Sequence, residues 1–157
     1  MQNNYKTRRD SESYMTELVL PNDANTLGNL LGGRLLHWYD IAGVLAASRH
    51  AESLVATVTV DAVNFKYPVK IGNIVNFKSY VTWTGTTSIE VAVEIHIENP
   101  YSGERKFVHK GYIVFVSLDE NGKKTSIIPY KPETIDEIAE FEDGAKRQSR
   151  RIEEAAQ

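Results

Sequence analysis

The chain has 157 residues and a formal net charge of −3, with 41% hydrophobic and 25% charged residues. These values are typical of a globular domain with a substantial core, and the charge gives no basic footprint for nucleic acid. The absence of cysteine excludes disulfides, zinc–thiolate sites and a cysteine nucleophile. The first 20 residues lack the apolar core of a secretory signal, and the longest apolar-rich segment is interrupted by charges. We therefore expect a cytoplasmic protein with no nucleic-acid or membrane partner.

The N-terminal third predicts an arm, a strand and one long helix. Residues 1–13 are polar and predict a mobile arm, and residues 14–20 (YMTELVL) predict a short strand that ends at the turn-forming PNDAN. A helix is predicted from about residue 27 or 29 to residue 50. Its apolar residues spread around all sides, which indicates burial. Such a helix needs a sheet that curves around it and further cover on its open side.

The remaining chain predicts four strands and a terminal helix. The strand segments are rich in Val, Ile, Thr and aromatic residues, and they occupy residues 54–69, 73–85, 87–100 and 104–119. Their alternation predicts an antiparallel sheet with one buried face. Residues 131–157 predict a helical extension. Its basic cluster is interpreted as a solvated helix face and consists of Lys146, Arg147, Arg150 and Arg151.

Asp40 lies in the second half of the long apolar helix. An ionised carboxylate there is costly unless another group compensates it or a reaction uses it. Two interpretations stay open at this point: a structural acid paired with Arg34 or His37, or a reacting group. The four histidines do not have the spacing of a metal site, so we expect no metal.

The start of the helix contains two glycines, Gly32 and Gly33, each of which lowers helix propensity by about 1 kcal/mol. They either permit close packing of the helix on the sheet or leave backbone N–H groups open to a ligand. Asn25 precedes them, and Asn is a preferred N-cap residue. It is therefore either a cap, a group that positions a substrate, or both.

Four segments in this order resemble the hotdog-fold acyl-CoA thioesterases, and more narrowly their cytosolic acyl-CoA hydrolase branch. They are PNDANTLGNLLGGRLLHWYDIAG at 21–43, VTVDAVNFKYPVKIGNIV at 58–75, GTTSIEV at 85–91 and YIVFVSLDENGK at 112–123. The resemblance spans residues 14–130 as a single domain. It implies an α+β hotdog fold, in which an antiparallel curved sheet of about five strands wraps around one long central helix, plus a C-terminal helix. It also implies hydrolysis of acyl-CoA to a free acid and CoA, with no cofactor beyond the CoA of the substrate.

The resemblance also implies roles for individual residues. Asn25 and Asp40 correspond to the catalytic pair, with Asp40 as general base or nucleophile, and Gly32 to a backbone N–H that polarises the thioester carbonyl. The residues implied to contact the substrate or its CoA are Gly33, Phe65, Thr86, Thr87 and Ser88. The sequence does not rank the possible phosphate partners Lys66, Lys70, Arg105, Lys106 and Lys110. A homodimer that assembles into a hexamer is implied, with the amide and the carboxylate of one site on opposite subunits.

Two other functions are compatible with the same fold. One is a non-catalytic acyl-CoA-binding sensor, although residues 1–13 are too short for the DNA-binding module of such regulators. The other is a hydratase, which the order of residues disfavours. Hydratase relatives have an aspartate followed by a histidine, whereas His37 precedes Asp40 here.

Overall fold

The computed structural model describes residues 4–157 and contains three α-helices, one short 3₁₀ helix (Pro21–Asp23) and five strands within that range. The α-helices and strands are α1 (Arg8–Ser11), β1 (Ser13–Leu18), α2 (Gly32–Ala51), β2 (Leu54–Val60), β3 (Ile74–Thr84), β4 (Ser88–Glu98), β5 (Arg105–Leu118) and α3 (Ile135–Ala155). The strands form one antiparallel sheet in the order β1-β3-β4-β5-β2. The predicted five-stranded sheet around one long helix, with a further C-terminal helix, is confirmed.

The N-terminal segment is docked on the domain, which differs from the expected mobile arm over residues 1–13. Residues 1–3 of that arm lie outside the described residues. Lys6 Nζ donates to the carbonyl oxygens of Arg49 and His50 at 3.0 and 2.9 Å, and Ser11 is buried. The last carbonyls of a helix have no partner within the helix, so a lysine far away in sequence satisfies two of them. Sequence patterns do not reveal such a contact.

Helix α2 begins at Gly32, later than the predicted start at about residue 27 or 29. The reason is that the preceding backbone N–H groups bond elsewhere. Those of Leu27 and Asn29 donate to the side-chain oxygen of Asn25, and that of Leu30 donates to the carbonyl oxygen of Val69. The helix ends at Ala51, one residue after the predicted end.

One side of α2 packs on the sheet, and the other side is not covered by any part of residues 4–157. The packed side approaches the sheet most closely at Gly43, where a Cβ atom would lie 2.9 Å from Phe115 Cζ. On the uncovered side Leu36 and Ile41 are 41% and 37% exposed. The neighbouring edge strand β2 adds the exposed side chains of Leu54, Val58 and Val60. The helix is therefore not buried on all sides in one chain, and its open side lacks the further cover that its sequence predicts.

Helix α3 covers the opposite face of the sheet, so the prediction of one buried face is wrong for the central strands. Residues facing α3, such as Tyr80 and Glu90, are buried along with the core that faces α2. The two layers approach most closely at Gly144, where a Cβ atom would lie 2.9 Å from Glu90 Oε1. The helix begins with a capping box, in which Thr134 Oγ1 accepts from the N–H of Glu137 at 3.1 Å. No helix within residues 4–157 is long and apolar enough to cross a membrane.

Candidate active site

Asp40 lies half-buried on α2, and its Oδ1 accepts a hydrogen bond from Thr57 Oγ1 at 2.8 Å. Thr57 is on β2, where a bulge between Thr57 and Thr59 interrupts the pairing with β5. The interpretation of Asp40 as an acid paired with Arg34 or His37 is wrong. Arg34 Nε lies 3.4 Å from Asp23 Oδ1 instead, and His37 is exposed. No local sequence pattern marks Thr57, because its contact with Asp40 depends on the packing of α2 against β2.

The Asn25 side chain is oriented by its own loop. Its Oδ1 accepts from the N–H groups of Leu27 and Asn29 at 3.0 and 3.1 Å. This fixes the amide orientation, because only the oxygen accepts hydrogen bonds. The side-chain amide nitrogen of Asn25 donates to no group within residues 4–157. Leu31 occupies the N-cap position of α2, so Asn25 holds a turn before the helix and presents its N–H₂ group outward.

Gly32 and Gly33 are the first two residues of α2, and both are exposed. A Cβ atom at either position would meet nothing within 4 Å, so helix–sheet packing within the chain does not explain these glycines. Their backbone N–H groups have no acceptor in the part of the chain that the structure describes. A groove of about 430 Å³ lies above them, also lined by Leu31 and His37. Free N–H groups at the start of a 20-residue helix favour a partly negative oxygen.

Within one chain, Asn25, Gly32 and Asp40 lie too far apart to act on the same reacting atom. Asp40 is eight residues beyond Gly32, which is about 12 Å along a helix axis. The Asn25 loop is bonded to the β1–β3 side of the sheet, where Asn29 pairs with Lys70. Asp40 instead contacts β2, at the opposite edge. The amide and the carboxylate are therefore held at opposite sides of one protomer.

Phe65 lies in an irregular segment, because β2 ends at Val60 and does not extend over residues 54–69 as predicted. The Phe65 ring packs edge-on against His109, with 5.6 Å between ring centroids. Val69 ends the segment, and its carbonyl oxygen accepts from Leu30 N–H at 2.6 Å. Phe65 therefore lies between the Thr57–Asp40 contact and the Asn25 loop along the chain.

Thr86, Thr87 and Ser88 form and follow the β3–β4 turn. Strand β4 runs from this turn toward the other end of the sheet over 11 residues, which is about 35 Å. The Asn25 loop lies at that other end, beside Lys70 and the start of β3. Within one chain, this turn and the Asn25 loop therefore lie at opposite ends of the sheet.

The five basic residues considered for phosphate contacts differ in whether their side chains already have a partner within the chain. Lys110 lies beneath α3, where its Nζ donates to Glu140 Oε2 at 2.8 Å, and Arg105 Nε is 3.7 Å from a Glu98 carboxylate oxygen. Lys106 Nζ lies 3.7 Å from the centre of the Tyr67 ring. Lys66 and Lys70 are exposed and make no ion pair within residues 4–157.

The interpretation of the C-terminal basic cluster as a solvated face is wrong for two of its four residues. Arg147 donates two hydrogen bonds to Glu90, at 2.7 and 3.0 Å, and Arg151 donates a third at 2.8 Å. Glu90 is fully buried, and Thr82 Oγ1 also donates to it at 2.7 Å. Burial alone raises the pKa of Glu90, but the hydrogen bonds from Arg147 and Thr82 outweigh burial and hold this pKa below its usual value. Lys146 and Arg150 are exposed, as expected.

Within residues 4–157 no three His, Asp or Glu side chains are placed to hold a metal ion. His50 is fully buried, and its Nε2 lies 2.8 Å from the carbonyl oxygen of Ile128. Burial lowers the pKa of His50 and of His109. These histidines are therefore neutral groups of the interior at neutral pH.

Comparisons with known proteins agree with this architecture. Residues 27–104 match the thioesterase superfamily. The chain is 36% identical to the uncharacterized acyl-CoA thioester hydrolase YkhA of Bacillus subtilis, over 83% of this chain and 76% of that protein. Its fold matches an apo-hexameric acyl-CoA thioesterase with a TM-score of 0.90 and 35% identity, over 97% of both chains.

A third comparison concerns the acyl-CoA hydrolase of Staphylococcus aureus, solved in complex with butyryl coenzyme A, coenzyme A and coenzyme A disulfide. It superimposes with a TM-score of 0.84 and 30% identity, over 97% of this chain and 95% of that one. Further structures of that hydrolase carry alanine in place of one aspartate, one asparagine and one threonine.

Proposed function

The chain belongs to the thioesterase superfamily, and we propose that it hydrolyses acyl-CoA thioesters to a free carboxylic acid and CoA. The observation that carries this proposal is the Asp40 carboxylate, which Thr57 orients at 2.8 Å on the uncovered side of α2. The side-chain N–H₂ of Asn25 and the backbone N–H groups of Gly32 and Gly33, which have no acceptor within residues 4–157, supply donors for a thioester oxygen. The similarity to acyl-CoA thioester hydrolases supports the same chemistry.

Residue spacing supports the assignment of Asn25, Asp40 and Thr57 to one site. In the S. aureus hydrolase, 15 residues separate the substituted asparagine from the substituted aspartate, and 17 separate that aspartate from the substituted threonine. The same two spacings separate Asn25 from Asp40 and Asp40 from Thr57 in this chain.

The site forms between two copies of the chain. A two-fold axis beside α2 places the same helix antiparallel in the partner, and the position midway between Gly32 and Asp40 is Leu36. Leu36 is 41% exposed and belongs to the uncovered apolar face. An axis near Leu36 sets Gly32 of one protomer opposite the carboxylate of the other, which closes the 12 Å gap within one chain. The exposed apolar side chains of β2 would be buried in the same interface.

At this site the amide of Asn25 and the N–H of Gly32 bind the thioester carbonyl oxygen and stabilise the negative charge that develops on it. One such donor is typically worth about 10²–10³ in kcat. Asp40 acts as a general base that removes a proton from water, or as a nucleophile that attacks the carbonyl carbon itself. As a base, Asp40 takes the proton of the water whose oxygen bonds to the carbonyl carbon, and this proton passes to the CoA sulfur as the C–S bond breaks. As a nucleophile, Asp40 forms a mixed anhydride with the acyl group as the C–S bond breaks, and water then hydrolyses the anhydride, which supplies the proton of the CoA thiol and releases the free acid and the Asp40 carboxylate. Thr57 keeps one carboxylate oxygen fixed, so that the other faces the reacting atoms.

The remaining assignments concern binding and assembly. Gly33 and Phe65 are assigned to contacts with the substrate or its CoA. Within one chain, Thr86, Thr87 and Ser88 lie far from Asn25. They therefore contribute to CoA binding at a site whose Asn25 comes from another subunit. A site built from several subunits favours a homodimer that assembles further, and one structural relative is hexameric. A cytoplasmic location and the absence of any cofactor stay predictions.

The proposal is tested by measuring CoA release with a thiol-reactive dye over acyl-CoA chains from two to eighteen carbons. We expect turnover in the wild type and a loss of at least about 10² in kcat in Asp40→Asn, with acyl-CoA binding retained. Asp143→Asn, which changes an exposed carboxylate on α3, is the control and should match the wild type. Binding without CoA release in the wild type would refute the proposal and favour the sensor function.

A further inference from the structure

The C-terminal helix contacts the segment that joins the two halves of the candidate site. This connecting segment, residues 61–69, begins four residues after Thr57. It ends at Val69, whose carbonyl oxygen accepts from Leu30 in the Asn25 loop. It therefore links the strand that carries Thr57 to the Asn25 loop, and Phe65 lies at its centre.

The connecting segment is held almost entirely by side chains. The N–H of Asp61 donates to the carbonyl oxygen of Tyr112 at 3.1 Å, but residues 62–68 make no backbone hydrogen bond within residues 4–157. The Asp61 carboxylate accepts two hydrogen bonds from Arg151, at 3.0 and 2.6 Å. Other side-chain contacts are Phe65 against His109, Tyr67 beneath Lys106, and the packing of Val63 and Phe65 against the hydrophobic core. The Arg151 contact is the one charged, two-bond anchor among these.

Arg151 is itself fixed to the centre of the sheet. Its Nη2 also donates to Glu90 Oε2 at 2.8 Å. Glu90 is fully buried on β4 and is bonded in addition by Arg147 and Thr82. A planar guanidinium that bonds two carboxylates at once has little freedom to move, so Asp61 is tied through Arg151 to a fully buried residue of the central sheet.

We propose that Arg151 is a positioning residue for substrate binding: it holds Asp61, and through Asp61 it sets the position of Phe65 and the rest of the connecting segment. The kinetic part of this inference rests on the proposed acyl-CoA hydrolysis. Arg151 acts on binding and not on the chemical step, because neither it nor Asp61 contacts Asp40, Asn25 or Gly32. Helix α3 is therefore part of the binding apparatus as well as a cover for the sheet.

The test uses Asp61→Asn, which keeps the shape of the side chain, removes the ion pair and leaves every contact of Glu90 in place. We expect KM for acyl-CoA to rise about three- to tenfold with kcat within about twofold of the wild type. We also expect faster hydrogen–deuterium exchange in residues 62–68 and unchanged exchange in β4. Arg151→Lys, whose ammonium does not reproduce the planar two-carboxylate geometry, should show the same changes to a smaller degree. Arg150→Gln is the matched control, since Arg150 is exposed on the same helix and its side chain makes no hydrogen bond within residues 4–157.

The inference is overturned if Asp61→Asn leaves both KM and the exchange of residues 62–68 unchanged, or if kcat falls while KM does not change. If Asp61→Asn fails to fold, Arg151→Lys decides by the same two measurements. A wild type without turnover would refute the proposed function, whereas the exchange of residues 62–68 would still decide whether Arg151 positions the segment.

Discussion

The hydroxyl of Thr57 offers a direct way to weaken the candidate site without removing its carboxylate. Thr57→Val replaces the group that donates to Asp40 at 2.8 Å by a methyl group of similar size. A hydrogen bond to a charged group is worth about 1.5–3 kcal/mol, and Thr57 is exposed in one chain, so the lower end applies. A loss of about 1.5 kcal/mol corresponds to a decrease of about tenfold in kcat. We expect this decrease with little change in KM, since the bond orients the reacting group.

The assay is CoA release at saturating acyl-CoA for Thr57→Val, Asp40→Asn and the double variant. Thr59→Val is the control, because Thr59 lies beyond the bulge and its side chain makes no hydrogen bond within residues 4–157. If Thr57 acts through the Asp40 carboxylate, adding Thr57→Val to Asp40→Asn should cost nothing further. A kcat within twofold of the wild type for Thr57→Val, or full additivity in the double variant, would refute this role.

Three further expectations concern stability. Gly43→Ala should lower the free energy of unfolding by about 1–2 kcal/mol, because the new methyl group would lie 2.9 Å from the fully buried Phe115 ring; an unchanged melting temperature would contradict this. Glu90→Gln should lower the free energy of unfolding in urea by about 3 kcal/mol, since two arginines lose their buried carboxylate partner. As a control, Glu94→Gln on the same strand should lower it by less than about 0.5 kcal/mol. Burial holds the pKa of His50 below its usual 6.5, so unfolding takes up a proton there and stability should fall as the pH drops below about 6.5; an equally steep fall in His50→Gln would rule this origin out.

Local sequence patterns predict which segments form helices and strands, but they predict the ends of these segments and the contacts between them less well. Alternation of apolar residues predicts the strands, and the apolar residues on all sides of residues 27–50 predict one long buried helix. The start of α2 was placed too early because the Asn25 side chain captures backbone N–H groups that a helix would otherwise use. Strand β2 ends before the predicted residue 69, because residues 62–68 make no backbone hydrogen bond within residues 4–157. Neither boundary has a signal in the local hydrophobic pattern.

The same limit applies to the candidate site, where contacts between residues distant in sequence were not predicted. Asn25, Asp40 and Gly32 were identified through the family resemblance, and their roles stay predictions. Thr57 had no local signal, because its contact with Asp40 depends on the packing of α2 against β2. The Glu90–Arg147 pair was also missed, because its partners are 57 residues apart and charge patterning along α3 alone favours a solvated face. Contacts between distant residues require the folded chain.

The most direct test of a site shared between two subunits is complementation between inactive variants. Asn25→Ala and Asp40→Ala are prepared separately, and each should be nearly inactive. They are then unfolded together in equal amounts and refolded, with subunit exchange confirmed by mass spectrometry. In a mixed dimer one site carries both substitutions and the other carries neither, so random pairing should restore about a quarter of wild-type activity. Recovery near zero despite complete exchange would mean that each site lies within one chain.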